Sequence, residues 1–104
     1  MPIDRMEILK NMVAQKPTDA FARYGLSMEL VNAGDLEGAA ESFQTLIANN
    51  PEYAAGYFHG GQTLEKLGRL EDARNIYSKG IEVTIKTVDA HTRSELQAAL
   101  DMLG

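Results

Sequence analysis

The chain has no cysteine among its 104 residues, so disulfides, thiol nucleophiles and thiolate-bound metals are excluded. It also has no excess of positive charge: 10 Lys and Arg stand against 15 Asp and Glu, which gives a formal net charge of −5 at pH 7. An acidic chain repels the phosphates of nucleic acids. We therefore expect no nucleic-acid partner.

Long apolar runs are missing as well. No stretch approaches the ~18 consecutive apolar residues that suggest a membrane span. The first ten residues, MPIDRMEILK, place acids and bases before any apolar run, which is not the pattern of a signal peptide. The sequence therefore predicts a cytoplasmic protein with no membrane partner.

What the chain does have is an internal repeat. Pro17 and Pro51 are separated by 34 positions (51 − 17 = 34), and several other residues recur at the same interval. These pairs are Leu30 and Leu64, Gly34 and Gly68, Leu36 and Leu70, and Ala39 and Ala73. At this offset AGDLEGAAESFQTLI aligns with LGRLEDARNIYSKGI. A fixed period of this length is typical of a stack of short helical units.

Apolar residues within each unit follow the spacing of amphipathic helices. Gly34 and Gly68 are expected to end one helix each, and Asp35 is a good N-cap for the next. Asn50 and Pro51 are expected to be the N-cap and first residue of a further helix. No strand pattern is present, so the prediction is an all-α fold. The expected helices cover 4–15, 18–33, 36–49, 52–67, 70–86 and 89–103.

A 34-residue unit of two helices with this pattern resembles the tetratricopeptide repeat. Counted from Ala20, the first copy has Leu26, Ser27, Leu30, Ala39, Phe43 and Pro51 at the family's positions 7, 8, 11, 20, 24 and 32. Counted from Ala54, the second has Tyr57, Gly61, Leu64, Ala73, Tyr77 and Gly80 at positions 4, 8, 11, 20, 24 and 27. The residues that depart from the family pattern are Arg23, Leu46, Gly60 and Ile85.

The resemblance implies one domain over 1–104, a right-handed superhelical stack of helix–turn–helix repeats with capping helices. Its parts are an N-terminal helix over 4–15, repeats over 20–53 and 54–87, and a C-terminal capping helix over 88–104. Ile85 and Val88 are expected to continue the apolar stripe of the preceding helix. Glu95 then stands where a third repeat would have its small residue, so the last helix is read as a cap with a polar outer face.

The segment YFHGGQ at 57–62 raises the question of an enzyme, since a histidine before paired glycines occurs in the oxyanion loops of lipases. That chemistry needs a preceding strand and a Gly-x-Ser-x-Gly turn, and the sequence has neither. Gly61 is explained instead by close helix packing, while Gly60 has no firm reason beyond a still closer approach or a locally weak helix. His59 and His91 are expected to be solvated or capping residues and not metal ligands. The prediction is a protein that is not an enzyme and has no cofactor or metal.

The resemblance also implies that the first helix of each repeat faces a concave groove. Phe21, Tyr24, Met28 and Val31 form an apolar stripe there at i, i+3, i+7 and i+10, which is either buried under a neighbouring helix or left open for a partner. Methionines such as Met102 are read as core residues. The predicted partner-binding residues are Phe21, Tyr24, Met28, Val31, Phe58, Gln62 and Glu65.

The hypothesis is a non-catalytic protein–protein interaction module that binds a peptide or a partner helix in this groove. The alternative is a homodimer that associates through the same groove. Chaperone-binding relatives hold acidic C-terminal tails with Lys and Asn at positions 5 and 9 of the repeat. This chain has Tyr24 and Met28, then Phe58 and Gln62, at those positions. The resemblance therefore does not extend to that binding mode.

Overall fold

The computed structural model of the protein describes residues 4–104. This part of the chain is all-helical and has no strand. Its six helices are α1 (Arg5–Gln15), α2 (Ala20–Asn32), α3 (Leu36–Asn49), α4 (Ala54–Lys66), α5 (Leu70–Lys86) and α6 (Ala90–Leu103). Each helix packs against the next along the chain, and α4 also contacts α6. This is the order of a helical-repeat stack, in which every unit contacts mainly its neighbours.

The bounds of α3 and α5 are those predicted, but α2 and α4 begin two residues later than expected. Asn50 is not the N-cap of α4. It is the C-cap of α3, and its N–H donates to the Leu46 carbonyl at 2.8 Å. Pro51 stands in the turn that follows, as prolines often do just past a helix end, and Tyr53 is the N-cap residue of α4. The Tyr57 hydroxyl donates to the Pro51 carbonyl at 2.7 Å, which ties this turn to the helix after it.

The core lies between successive helices in two adjoining groups of side chains. One is centred on Phe43 and Leu46 of α3, and the other on Tyr57 of α4 and Tyr77 of α5. Ala39 and Ala73, the alanines at equivalent places in the two repeats, are fully buried. This burial agrees with their shared place in the two repeats. Alanine is suited to this place because it adds almost no volume between the two backbones.

The paired glycines of α4 are explained by packing on two sides of the helix. A Cβ at Gly61 would lie 2.6 Å from Cδ1 of Tyr77 on α5, inside the space that the ring fills. A Cβ at Gly60 would lie 3.2 Å from the Cβ of Phe43 on α3. The lack of a side chain at Gly61 therefore allows α5 to pack closely against α4, and the lack of one at Gly60 allows α3 to do so. The second contact supplies the reason for Gly60 that the sequence did not.

The end of α5 departs from the repeat pattern. Gly34 and Gly68 end their helices at φ 84° and φ 78°, and Val88 takes the same left-handed conformation at φ 58°. The N–H of the next residue, Asp89, donates back to the Thr84 carbonyl at 2.9 Å, as in a glycine-terminated helix. Val88 is therefore not part of the apolar stripe. It is 85% exposed and Ile85 is 57% exposed, so the predicted continuation of that stripe is wrong.

This turn changes the register of α6. The first helices begin at Ala20, Ala54 and Ala90, so the second interval is two residues longer than the first (90 − 54 = 36 against 54 − 20 = 34). Leu96 thus takes the place that Leu26 has in the first repeat, and it is fully buried. Glu95 does not occupy the small-residue position, which falls to Gln97. The capping helix is structurally the first helix of a third repeat.

Replacing Val88 with glycine is expected to stabilise the protein by about 1 kcal/mol. A left-handed conformation costs an L-residue roughly 1–2 kcal/mol, and a β-branched residue is especially disfavoured there. Glycine also increases the conformational entropy of the unfolded chain, which offsets part of the stabilisation. Almost no burial is lost, since the side chain is exposed. The melting temperature should rise by about 4–8 °C.

Val88→Ala is the matched control for this change. Alanine keeps the Cβ that disfavours positive φ, so it should give much less stabilisation than glycine. Equal melting temperatures for the glycine variant and the parent would contradict the assigned conformation.

Candidate protein-binding groove

The three first helices, α2, α4 and α6, share one face of the protein, which we call the groove. Two clefts open on it. The α2–α4 cleft has a volume of about 230 Å³ and the α4–α6 cleft about 300 Å³. The first is lined by Met28, Val31, Asn32, His59, Gln62, Thr63 and Lys66. The second is lined by Phe58, Gln62, Glu95, Ala98, Ala99 and Met102. Gln62 borders both clefts and so stands at the centre of the groove.

Four aromatic side chains, Tyr53, Tyr24, His59 and Phe58, form a continuous line that we call the aromatic row. The ring centroids are 5.6 Å apart between Tyr53 and Tyr24, 5.7 Å between Tyr24 and His59, and 5.2 Å between His59 and Phe58. The two contacts of His59 are edge-on, an arrangement that aromatic rings prefer to face-to-face stacking. The row joins α2 to α4, and its partly exposed rings present apolar area.

His59 is the member of the row that the sequence misplaced. It is half-buried between two rings and is neither solvated nor a capping residue, whereas His91 is exposed as predicted. Burial lowers the pKa of the His59 imidazole; Lys66 acts in the same direction and Glu95 in the opposite one. The neutral form is therefore favoured at pH 7, and His59 adds to the apolar character of the groove.

Burial also favours the uncharged form of the two tyrosines of the row. Burial raises the pKa of the Tyr24 phenol, and the neighbouring Tyr53 adds to this effect. Burial also raises the pKa of Tyr53. Both hydroxyls thus remain protonated near neutral pH and can donate or accept a hydrogen bond at the edge of the row.

The predicted binding residues fall into four groups in the structure, of which Glu65 alone forms the last. Phe21 is 75% exposed, so it is not covered by a neighbouring helix of the chain. Tyr24 is half-buried, because its ring packs on the edge of Phe43 with centroids 6.5 Å apart. The others that line the clefts are Met28 and Val31 in the α2–α4 cleft, Phe58 in the α4–α6 cleft, and Gln62 in both.

Glu65 differs from these residues because its carboxylate is already engaged. It accepts a hydrogen bond from the hydroxyl of Tyr77, a fully buried ring on α5. Burial and this bond raise the pKa of the Tyr77 phenol. The contact joins α4 to α5 and keeps Glu65 turned toward the helix interface.

The groove residues that sequence reasoning missed include Tyr53, His59, Ala98, Ala99 and Met102. Tyr53 precedes its helix and therefore has no helical spacing to mark it. Met102 was assigned to the core, yet it is 86% exposed. The alanines and Met102 were missed because the two-residue displacement of α6 moves them to groove positions. Aligning Leu96 with Leu26 in place of Glu95 with Gly61 would have found them.

Residues 4–104 contain neither a metal-binding cluster nor a helix that could cross a membrane. No three His, Asp or Glu side chains of this range gather as a metal ion would require. None of the helices of the same range combines the length and apolar character needed to cross a bilayer. The groove, with its two clefts and its aromatic row, is therefore the candidate functional site.

The fold and the groove define a class of protein, the right-handed helical-repeat scaffolds whose first helices line a binding surface. A family model described as "Tetratricopeptide repeat" matches residues 24–82, which is more than half of the chain. The protein belongs to the tetratricopeptide repeat family, as the sequence predicted. Its fold is one that serves protein–protein interaction.

Relatives support this assignment over nearly the whole length. The chain is 31% identical over 98 residues to a TPR repeat-containing protein of Pseudomonas aeruginosa, covering 94% of this chain and 93% of that one. It is 34% identical to a tetratricopeptide repeat domain protein from Salinibacter ruber solved by crystallography, with a TM-score of 0.77 and coverage of 82% and 94%. It also shares the fold of the Yersinia enterocolitica type III secretion translocator chaperone SycD, with a TM-score of 0.86 at 15% identity, over 94% of this chain and 68% of that one.

Proposed function

We propose that the protein is a non-catalytic interaction module that binds a peptide or a short partner helix in its groove. The observation that carries this proposal is the aromatic row together with the two clefts beside it. Aromatic rings supply large apolar area at a low cost in conformational entropy, and they are enriched at protein interfaces. Here Tyr24, Tyr53 and Phe58 pack against the core on one side and remain partly exposed, so part of each ring is open to a partner.

The geometry supports a ligand that crosses the groove. Neighbouring helices of this kind pack roughly 8–10 Å apart, so one extended segment or one helix can contact α2 and α4 together. Met28 and Val31 form the α2 side of the first cleft and Phe58 a wall of the second. Gln62 lies between the two clefts, where its amide can donate to and accept from the backbone of a bound segment. The proposed binding residues are therefore Phe21, Tyr24, Met28, Val31, Phe58 and Gln62, with Tyr53 and His59 added from the aromatic row.

The size of the groove limits the affinity. Three helices offer a short surface, so the interface should lie at the small end of specific complexes, below ~1,200 Å² in total. Interfaces of this size are typical of weak or transient binding. The proposed role is accordingly a reversible recruiting contact, with specificity set by a few anchor residues.

Phe58→Ala is expected to weaken binding by about 1–2 kcal/mol, or roughly five- to thirtyfold, because a half-buried aromatic anchor is lost from the wall of a cleft. The probes are peptides selected by phage display against the immobilised protein. Their dissociation constants are measured by fluorescence polarisation for the parent and for the variant, with circular dichroism to confirm folding.

Glu41→Ala is the control for that measurement. Glu41 is exposed on α3, in a crevice between α2 and α3 that lies outside the groove. The parent affinity should be kept in this variant. If the selected peptides bind the Phe58→Ala and Tyr24→Ala variants as they bind the parent, the groove is not the binding surface.

The alternative occupant of the groove is a second copy of the chain. Two large apolar side chains, Phe21 and Met102, are mostly exposed on α2 and α6 and favour it. Light scattering would then report twice the chain mass at micromolar concentration, and Tyr24→Glu would restore a folded monomer. A mass that stays that of one chain at every concentration would contradict this alternative and leave the groove to a different partner.

A further inference from the structure

The α4–α6 cleft differs in chemistry from the rest of the groove. Most of its lining side chains are apolar, namely Phe58, Ala98, Ala99 and Met102. Gln62 is polar but uncharged, and Glu95 is the one charged side chain of this lining. Lys66, a cation of the groove, lines the other cleft. From this arrangement we infer that the α4–α6 cleft receives an arginine or lysine side chain of the partner. The inference rests on the proposed function and names the chemistry of its ligand.

The shape of the cleft suits a long side chain with an apolar stem. The cleft volume is about 300 Å³. Ala98 and Ala99 leave room along α6, and the exposed thioether of Met102 can adjust to the stem. Lysine and arginine bury their methylene groups along such surfaces while the charged end stays at a polar group. The ring of Phe58 on the opposite wall offers a face for a cation–π contact.

The electrostatics favour a cation at this place. The Glu95 carboxylate lies 3.6 Å from Nε2 of the largely exposed His91, a longer and weaker contact than a direct hydrogen bond, so it remains available to a ligand. Ala98, Ala99 and Met102 belong to the last turns of α6, where the helix dipole places negative partial charge. The net charge of −5 adds long-range attraction for a basic partner. A guanidinium can also form paired hydrogen bonds with a carboxylate, so arginine should bind more tightly than lysine.

The test uses three small probes of similar length: the N-acetyl, N-methylamide derivatives of arginine, norleucine and glutamate. Each is titrated into ¹⁵N-labelled protein at low salt and followed by amide chemical shifts. The arginine probe should shift the amides of Phe58, Glu95, Ala98 and Met102 and bind about fivefold more tightly than norleucine, as an exposed ion pair and a cation–π contact together would give. The glutamate probe should bind most weakly. Norleucine binding as tightly as arginine would overturn the inference.

Glu95→Gln supplies the decisive variant because it removes the charge and keeps the shape. Arginine binding should fall about two- to threefold, toward the level of norleucine, because the ion pair is lost and the cation–π contact with Phe58 remains, while norleucine binding should not change. Glu41→Gln, which removes a carboxylate from α3, should leave both unchanged. Unchanged arginine binding by Glu95→Gln would overturn the inference.

Selected peptides separate this inference from the function on which it rests. Peptides weakened by Phe58→Ala and by Glu95→Gln, with a basic residue shared among them, support both. Peptides weakened by Phe58→Ala but not by Glu95→Gln overturn the basic ligand and leave the groove as the binding surface. Peptides weakened by neither overturn the proposed function itself.

Discussion

Replacing Gly61 with alanine is expected to destabilise the protein by about 1–3 kcal/mol. The new Cβ would lie 2.6 Å from Cδ1 and 2.7 Å from Cζ of the Tyr77 ring, which is fully buried. Tyr77 cannot turn away, because its ring is completely buried and its hydroxyl is bonded to Glu65. Overpacking of a rigid site typically costs 1–3 kcal/mol and occasionally more, which outweighs the roughly 1 kcal/mol of helix propensity that alanine gains. For a domain with an unfolding free energy of about 5–15 kcal/mol, this is a large loss.

The adjacent glycine provides the control in the same helix. Gly60→Ala gains the same helix propensity, but its Cβ would lie 3.2 Å from the Cβ of Phe43, which a small shift can relieve. Its stability should stay within about 1 kcal/mol of the parent. Urea unfolding followed by circular dichroism measures both variants. Equal stability of the two variants would show that α4 and α5 do not approach each other as described.

Leu96→Ala is expected to cost about 2–5 kcal/mol and to release α6 from the stack. Leu96 is the one fully buried side chain of α6 within the described residues, and it packs near Gly80 of α5. Truncating a buried leucine to alanine removes its transfer free energy and leaves a cavity, and losses of this size are typical. Since α6 is the last helix of the stack, part of the loss should appear as local unfolding of α6. The α4–α6 cleft should then be lost too.

Hydrogen exchange distinguishes this outcome from a general loss of stability. In Leu96→Ala the amides of α6 should exchange faster than those of α3 and α4. Met102→Ala, on the same helix but 86% exposed, should change stability by less than about 0.5 kcal/mol. Leu96→Ala with parent-like exchange in α6 would contradict the placement of this helix as the first helix of a third repeat.

The sequence was sufficient for the parts of the fold that depend on local and periodic signals. Gly34 and Gly68 mark helix ends because each adopts positive φ, and Asp35 marks a helix start because its side chain accepts from the Gly38 N–H at 2.9 Å. Between such signals the bounds of α3 and α5 are correct. The fully buried Ala39 and Ala73 follow from the shared register of the two repeats.

The remaining features, which are the Val88 turn, the displacement of α6 and the burial of His59, could not be predicted from residue preferences. A valine in the left-handed conformation is disfavoured, so nothing in the sequence marks Val88 as a helix-ending residue. The two-residue displacement of α6 follows from that turn, and with it the composition of the α4–α6 cleft. His59 has no spacing that distinguishes it from a surface histidine, and its burial arises from rings on two different helices. Such features come from tertiary packing and not from local pattern.

Site-specific photo-crosslinking from position 62 tests the groove most directly. Gln62 is exposed and borders both clefts, so a benzoylphenylalanine placed there should contact a bound partner without entering the core. The same group at Glu41 on α3 reports on the outer surface. The proposal predicts a discrete crosslinked partner from position 62 in the native cell, diminished by Phe58→Ala, and none from position 41. A partner crosslinked from position 41 and not from position 62 would contradict it.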